Sequence, residues 1–270
     1  MPASINHRRE GGGAPLVLLH GIGQSWHIWR PVMPLLASDF DVIACDSPGF
    51  GDSPPLPAAV PTISAYVERF ARFFVELGLE RPHVAGISMG GGIALELARA
   101  DAVSSVCALS PVGFWTDRER RFCQLSLRVV AQTPRVIRPA VRTLTRTRLG
   151  RTAMFSQLFG WPARIPADDA TVALEAAWAA PAFLPALDAF DRYRFVAGEE
   201  LRAVPVTVAW GIHDRLLPYR RQAPRARAML PWARHVSLGA GHIPCFDDPA
   251  AVAEVVRGST HHPSPSQEER

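Results

Sequence analysis

Apolar and polar positions alternate between two patterns along this chain. Short apolar runs fall at residues 15–20 (PLVLLH), 40–45, 84–87, 105–109 and 204–210, with a shorter mixed run at 235–238. Runs of this length bounded by turn residues predict buried strands. Between them lie stretches with helical spacing. The clearest begins after Thr62, where Ile63, Tyr66, Val67, Phe70, Phe73, Phe74 and Leu77 fall on one face at a 3.6-residue period, and Gly78 stops it. Further helices are predicted over 26–37, broken by Pro31 and Pro34, and over 93–100, 220–229 and 249–256. Buried strands alternating with helices predict an α/β fold, a mostly parallel sheet covered by helices on both faces.

The alternation lapses from about residue 113 to 196. No strand pattern occurs there, and prolines at 134, 139, 162, 166, 181 and 185 punctuate helical pieces. The pattern therefore divides the chain into a core at 1–112, a helical insertion at 113–195, the rest of the core at 196–257, and a polar, proline-bearing tail at 258–270 expected to be disordered. No internal repeat is present.

The residues with chemical potential lie just after the predicted strands, where open parallel sheets gather reactive groups. The 84–87 run leads into GISMGGG, which places Ser88 between Gly86 and Gly90 in the pattern G-x-S-x-G. A strand that turns at once into a helix leaves its turn residue strained and its neighbours small, with the hydroxyl raised above the sheet. HGIG at 20–23 follows the first run, WGIHDRLLP follows the run ending at Trp210, and GAGHIP follows the last. Ser88, Asp214 and His242 thus appear in the order nucleophile, acid, base. The N–H groups of Ile22 and Met89 are candidates for an oxyanion hole. Asp117 is the rival acid, His213 is read as a loop residue, and His20 and the 46–53 segment (DSPGFGDS) are read as structural.

At these positions the chain resembles the α/β-hydrolase superfamily. HGIG, DSPGFGDS, GISMGG, WGIHDRLLP and GAGHIP occur in that family's order across most of the chain. The resemblance implies an α/β-hydrolase fold in which the 113–195 insertion is the cap. With serine rather than aspartate as nucleophile, it is similar to carboxylesterase-like members and not to the dehalogenase and epoxide hydrolase branches. The expected activity is hydrolysis of carboxylic esters of small to medium acids through an acyl-enzyme, with no metal or organic cofactor. Hydrolysis of a carbon–carbon bond in vinylogous diketones, cofactor-free perhydrolysis, and a non-catalytic small-molecule receptor on the same fold stay open. Trp26, Trp115, Trp178 and Phe183, with Trp29, Met89 and Phe114, are candidates for the substrate wall.

Composition changes this picture little. The net charge is +4 and all 29 basic residues are arginine, dense between Arg118 and Arg151. A biased coding genome accounts for arginine without lysine, and no nucleic-acid recognition motif accompanies the charge. The partner expected is a small ester-like molecule, with a homodimer left open. No apolar run reaches the ~20 residues of a membrane span. The first residues lack an apolar signal core, and the four cysteines are scattered, so a reducing, cytoplasmic setting is expected.

Overall fold

The computed structural model describes residues 4–57, 60–196 and 198–260. Among the described residues seven strands form one sheet: β1 (His7–Gly11), β2 (Ala14–Leu19), β3 (Phe40–Cys45), β4 (His83–Ile87), β5 (Ser105–Leu109), β6 (Val206–Gly211) and β7 (Arg234–Leu238). Their spatial order is β1-β3-β2-β4-β5-β6-β7. All neighbouring pairs are parallel except β1 with β3, which is antiparallel.

The central parallel strands β2, β4, β5 and β6 are mainly apolar because both faces of the sheet are covered, whereas the edge strand β7, RHVSL, is mixed. Successive residues of β2 show this: Val17 and Leu19 join one core, Leu16 and Leu18 the other. The first core contains Phe70, Phe73 and Phe74 of α2 (Ile63–Glu76), with α3 (Met89–Arg99) beside them. Thr62 caps α2 by accepting the Ala65 N–H at 3.2 Å, and Gly78, at φ +68°, ends it. The second core packs Trp29 and α1 (Met33–Leu36) with α10 (Pro249–Thr260) on the other face.

Between β5 and β6 the described residues contain no strand. They form α4 (Asp117–Ala131), α5 (Arg138–Thr145), α6 (Arg148–Phe155), α7 (Ala167–Ala179) and α8 (Phe183–Ala189), joined by short 3₁₀ turns. Thr116 and Glu119 make a reciprocal capping box at the start of α4. After β6, α9 (Tyr219–Met229) returns the chain to β7.

The structure differs from the sequence reading in three places. β1 was not predicted, because HRREG is polar; an antiparallel edge strand with one neighbour needs no apolar run. The 26–37 stretch is in two pieces, but the first, Trp26–Trp29, is a 3₁₀ turn, and Pro34 lies in the first turn of the short helix Met33–Leu36 rather than at a break. Residues 258–260, expected to belong to a disordered tail, are helical: α10 continues to Thr260, with Ser259 buried and its hydroxyl donating to the Val256 carbonyl at 2.6 Å. The rest of that tail, 261–270, lies outside the described residues.

Phe70 has no exposed surface and meets both Phe73 and Phe74 at ring separations of 6.5 Å. Phe70→Ala should therefore lower unfolding stability by about 3–5 kcal/mol. Urea titration followed by circular dichroism measures it; a loss under about 1 kcal/mol would mean that the α2 face is loosely packed.

Candidate active site

Ser88 stands between β4 and α3 at φ +56°, ψ −114°, in a backbone region that serine rarely occupies. Its N–H donates to the Leu109 carbonyl at 2.9 Å, and its carbonyl accepts from Gly92 and Val112 at 3.0 and 3.1 Å. Small neighbours are a steric requirement. A Cβ on Gly86 would overlap the Gly90 carbonyl, and one on Gly90 would overlap the carbonyls of Leu19 and His20. Met89 is the first residue of α3, so its N–H has no intrahelical acceptor and lies at the positive end of the helix.

His242 and Asp214 come from loops after β7 and β6, and both are buried. The His242 Nδ1–H donates to Asp214 Oδ2 at 2.8 Å. The other carboxylate oxygen, Oδ1, accepts the N–H groups of Leu216 at 3.0 Å and Leu217 at 2.8 Å. The carboxylate is thus held at one oxygen by its own loop and turned to the imidazole with the other. With Nδ1 committed to Asp214, Nε2 is the ring's free nitrogen.

Asp117 is placed quite differently. It begins α4, its side chain is 60% exposed, and it pairs with Arg194 at 2.6 Å and Arg120 at 3.1 Å. Those guanidiniums hold its carboxyl below the usual range. It takes no part in the His242 pair.

Ser88 and His242 line one cavity of about 60 Å³, room for only a few water-sized groups. Ile22 and Phe183 line it too. Its remaining wall is apolar, chiefly Leu127, Val130, Phe155, Leu158, Phe159 and Leu174 from the helical insertion, with Leu216 and Ile243 from the core. Gln24 is a polar side chain in the wall, and its Oε1 accepts the Gly21 N–H at 3.1 Å.

Three expected wall residues are absent from this cavity. Trp26 stacks on His27 at 4.1 Å, and its N–H donates to Asp46. Trp115 packs on Phe190, and its indole N–H donates to the Tyr193 carbonyl at 3.1 Å. Trp178 donates to the Val130 carbonyl at 3.1 Å, while Arg138 and Arg142 lie over its ring at 4.9 and 5.7 Å. An indole hydrogen bond holds the Trp115 and Trp178 rings elsewhere, and the stack on His27 together with the backbone bond to Asp46 holds Trp26. Trp29, Phe114 and the Met89 side chain are core residues outside the wall. The leucines, valine and phenylalanines found in the wall instead, and Gln24, carry no sequence motif.

The loops around the cavity are anchored by buried polar groups. His20 is fully buried, its Nδ1–H donating to the Gly21 carbonyl at 2.6 Å and its Nε2 accepting the Ser47 N–H at 2.8 Å. It ties the 20–23 loop to the 46–53 segment. Asp46 accepts from the Trp26 and Asp52 N–H groups at 2.8 and 3.0 Å and from Asn6 at 2.7 Å. Asp247 accepts the N–H groups of Gly241, Gly160 and Trp161 at 2.8, 2.7 and 2.9 Å, and the Ile243 N–H donates to the Leu158 carbonyl at 2.9 Å. The His242 loop is thereby fastened to the helical insertion. His213 sits edge-on to Trp161 at 5.7 Å. All four cysteines are buried free thiols, and burial pushes Cys107 up to about 12.

Burial pushes the His20 pKa down, against the opposing pull of the Gly21 carbonyl and the Asp46 charge. Folding therefore selects the neutral ring. Its stabilisation is complete above the unfolded histidine range near ~6.5 and is lost as pH falls below it, at up to about 1.4 kcal/mol per pH unit. Urea titrations from about pH 7 to about pH 5 should show a shallower decline in His20→Gln than in the wild type. Equal slopes would show that the ring titrates as freely in the fold as in the unfolded chain.

Comparison with known proteins agrees with this architecture. Residues 14–249 match the alpha/beta hydrolase fold family. An uncharacterized protein of Mycobacterium tuberculosis is 31% identical over 266 residues, covering 92% of this chain and 76% of that protein. The dihydrolipoyllysine-residue acetyltransferase component of the acetoin cleaving system of Cupriavidus necator is 40% identical over 144 residues, 52% of this chain; the match spans only 37% of that longer protein. Among solved structures, a thermophilic esterase from Thermogutta terrifontis superposes with a TM-score of 0.74 at 23% identity, over 94% of this chain and 92% of the esterase, a likeness of fold. Together with the sheet order and the strained serine turn, these matches show that the chain belongs to the α/β-hydrolase fold family.

Proposed function

We propose that the protein is a serine hydrolase that cleaves carboxylic esters of small acids, with Ser88, His242 and Asp214 as its catalytic triad. The observation that carries this reading is the meeting, in one small apolar cavity, of a serine on a strained turn and a histidine whose Nδ1 is bound to a buried carboxylate. That imidazole has Nε2 free to take the Ser88 proton as the hydroxyl attacks the ester carbonyl. The N–H groups of Met89 and Ile22 receive the negative oxygen. Collapse expels the alcohol, which takes its proton from His242. Water, activated by the same nitrogen, then attacks the acyl-serine and restores the site. Asp214 holds the tautomer this requires, and its two N–H donors fix its aim. The 113–195 insertion acts as a cap, since most of the apolar wall comes from it.

Ser88→Ala should lower kcat by on the order of 10⁶, and a serine-directed phosphonate should add once, at Ser88. Asp214→Asn should cost up to ~10⁴ by stabilising the wrong imidazole tautomer, while Asp117→Asn should change little. Labelling at another serine, or the reverse ranking of the two aspartates, would overturn the assignment.

The cavity size sets the acyl preference. Each added methylene should improve kcat/KM by ~0.8 kcal/mol while space remains, then reduce it. Against a series of p-nitrophenyl esters the optimum should fall at short chains. A continuous rise to long chains would contradict an enclosed acyl pocket. Absence of ester turnover with rapid cleavage of a vinylogous diketone would assign the site to carbon–carbon hydrolysis.

A further inference from the structure

From residue 120 to 166 the chain carries ten arginines and neither aspartate nor glutamate. Ion pairs with acids outside this stretch engage Arg120, Arg128 and Arg142. Arg121, Arg135, Arg146 and Arg148 are exposed and have no carboxylate partner among the described residues. The same surface exposes aliphatic side chains, with Leu125 66%, Val129 74%, Val136 86% and Leu149 84% exposed.

The pattern is sharpest on α4. Phe122, Leu125 and Val129 stand at i, i+3 and i+7, so they form one solvent-facing stripe, with Arg118 and Arg121 on the same side. The opposite face supplies Leu127 and Val130 to the cavity wall. This helix is therefore apolar on two opposite faces, and only one of them is used by the fold. The stripe continues through Val136 and Ile137 in a 3₁₀ turn, Leu144 on α5 and Leu149 on α6.

We propose that this outer face of the helical insertion docks on an anionic lipid bilayer. Aliphatic tips enter the boundary between headgroups and acyl chains, and the unpaired guanidiniums meet lipid phosphates. Charge argues against a second copy of this chain as the occupant, because on each face the acids are already paired and the unpaired charges are all arginine, so two such faces repel. Apolar tips spread over four helical elements also suit a deformable surface better than a groove shaped for one side chain. Docking here means lying on the membrane: among the described residues no single helix is long and apolar enough to cross one. The inference stands whether or not the ester reading holds, since binding needs no turnover.

The test is co-sedimentation of the full chain with vesicles of phosphatidylcholine alone or mixed with phosphatidylglycerol. Binding should require the anionic lipid and should weaken with added salt. Replacing Arg121, Arg135, Arg146 and Arg148 by Gln should reduce partitioning about fivefold for each arginine removed. The Leu125→Glu, Val129→Glu double variant should also lose binding, while Val75→Glu, an exposed change on α2, should not. Thermal melting by circular dichroism checks that each variant is folded. No binding to anionic vesicles, equal binding to neutral ones, or dimers that dissociate on the same substitutions would overturn the proposal.

Discussion

The turn at Ser88 is the constraint that the rest of the structure accommodates. A serine at φ +56° costs about 1–3 kcal/mol relative to relaxed backbone, and only surrounding contacts can hold it there. Those contacts come from several elements. β5 accepts the Ser88 N–H through Leu109, α3 returns a bond from Gly92, and the chain beyond β5 adds one from Val112. Gly90 lies so close to the end of β2 that a methyl group there would strike the Leu19 and His20 carbonyls. The central strands β2, β4 and β5 are thus pinned together at the point where the hydroxyl emerges.

Around that turn, three aspartates hold the loops. Asp46, Asp214 and Asp247 each lie beyond the C-terminal end of a strand and each gathers backbone N–H groups. A carboxylate suits this work because its two oxygens accept several charge-assisted bonds at once. The three differ in what remains. Asp46 is saturated by backbone and Asn6, Asp247 by backbone alone, whereas Asp214 keeps one oxygen for His242. The same chemical device is structural in two loops and directed at an imidazole in the third.

The helical insertion ties the two ends of the chain's chemistry together. Its residues 158, 160 and 161 bond to the loop bearing His242, so that loop and part of the cavity wall are held by the same hydrogen bonds. The insertion also carries the chain's uneven charge on its outer surface. Its helices therefore serve the cavity with one face and meet solvent with another, and the two faces obey different rules of composition.

The sequence by itself determined what depends on neighbours along the chain. Continuous apolar runs had to be buried parallel strands, the aromatic spacing from Ile63 to Leu77 had to be a helix face, and GISMGGG had to turn without a loop. Strand-end placement also singled out Ser88, Asp214 and His242, because a parallel sheet collects those ends on one edge. The tertiary structure decided what depends on residues far apart. It separated Asp214 from Asp117 by surrounding one with backbone donors and the other with exposed arginines. It removed Trp26, Trp115 and Trp178 from the cavity, since an indole goes where its N–H or its ring finds a partner, which no local pattern encodes. It added β1, whose only requirement is an open backbone edge on β3. Local periodicity specifies which face of an element is apolar; which apolar face borders the serine is a matter of how distant elements pack.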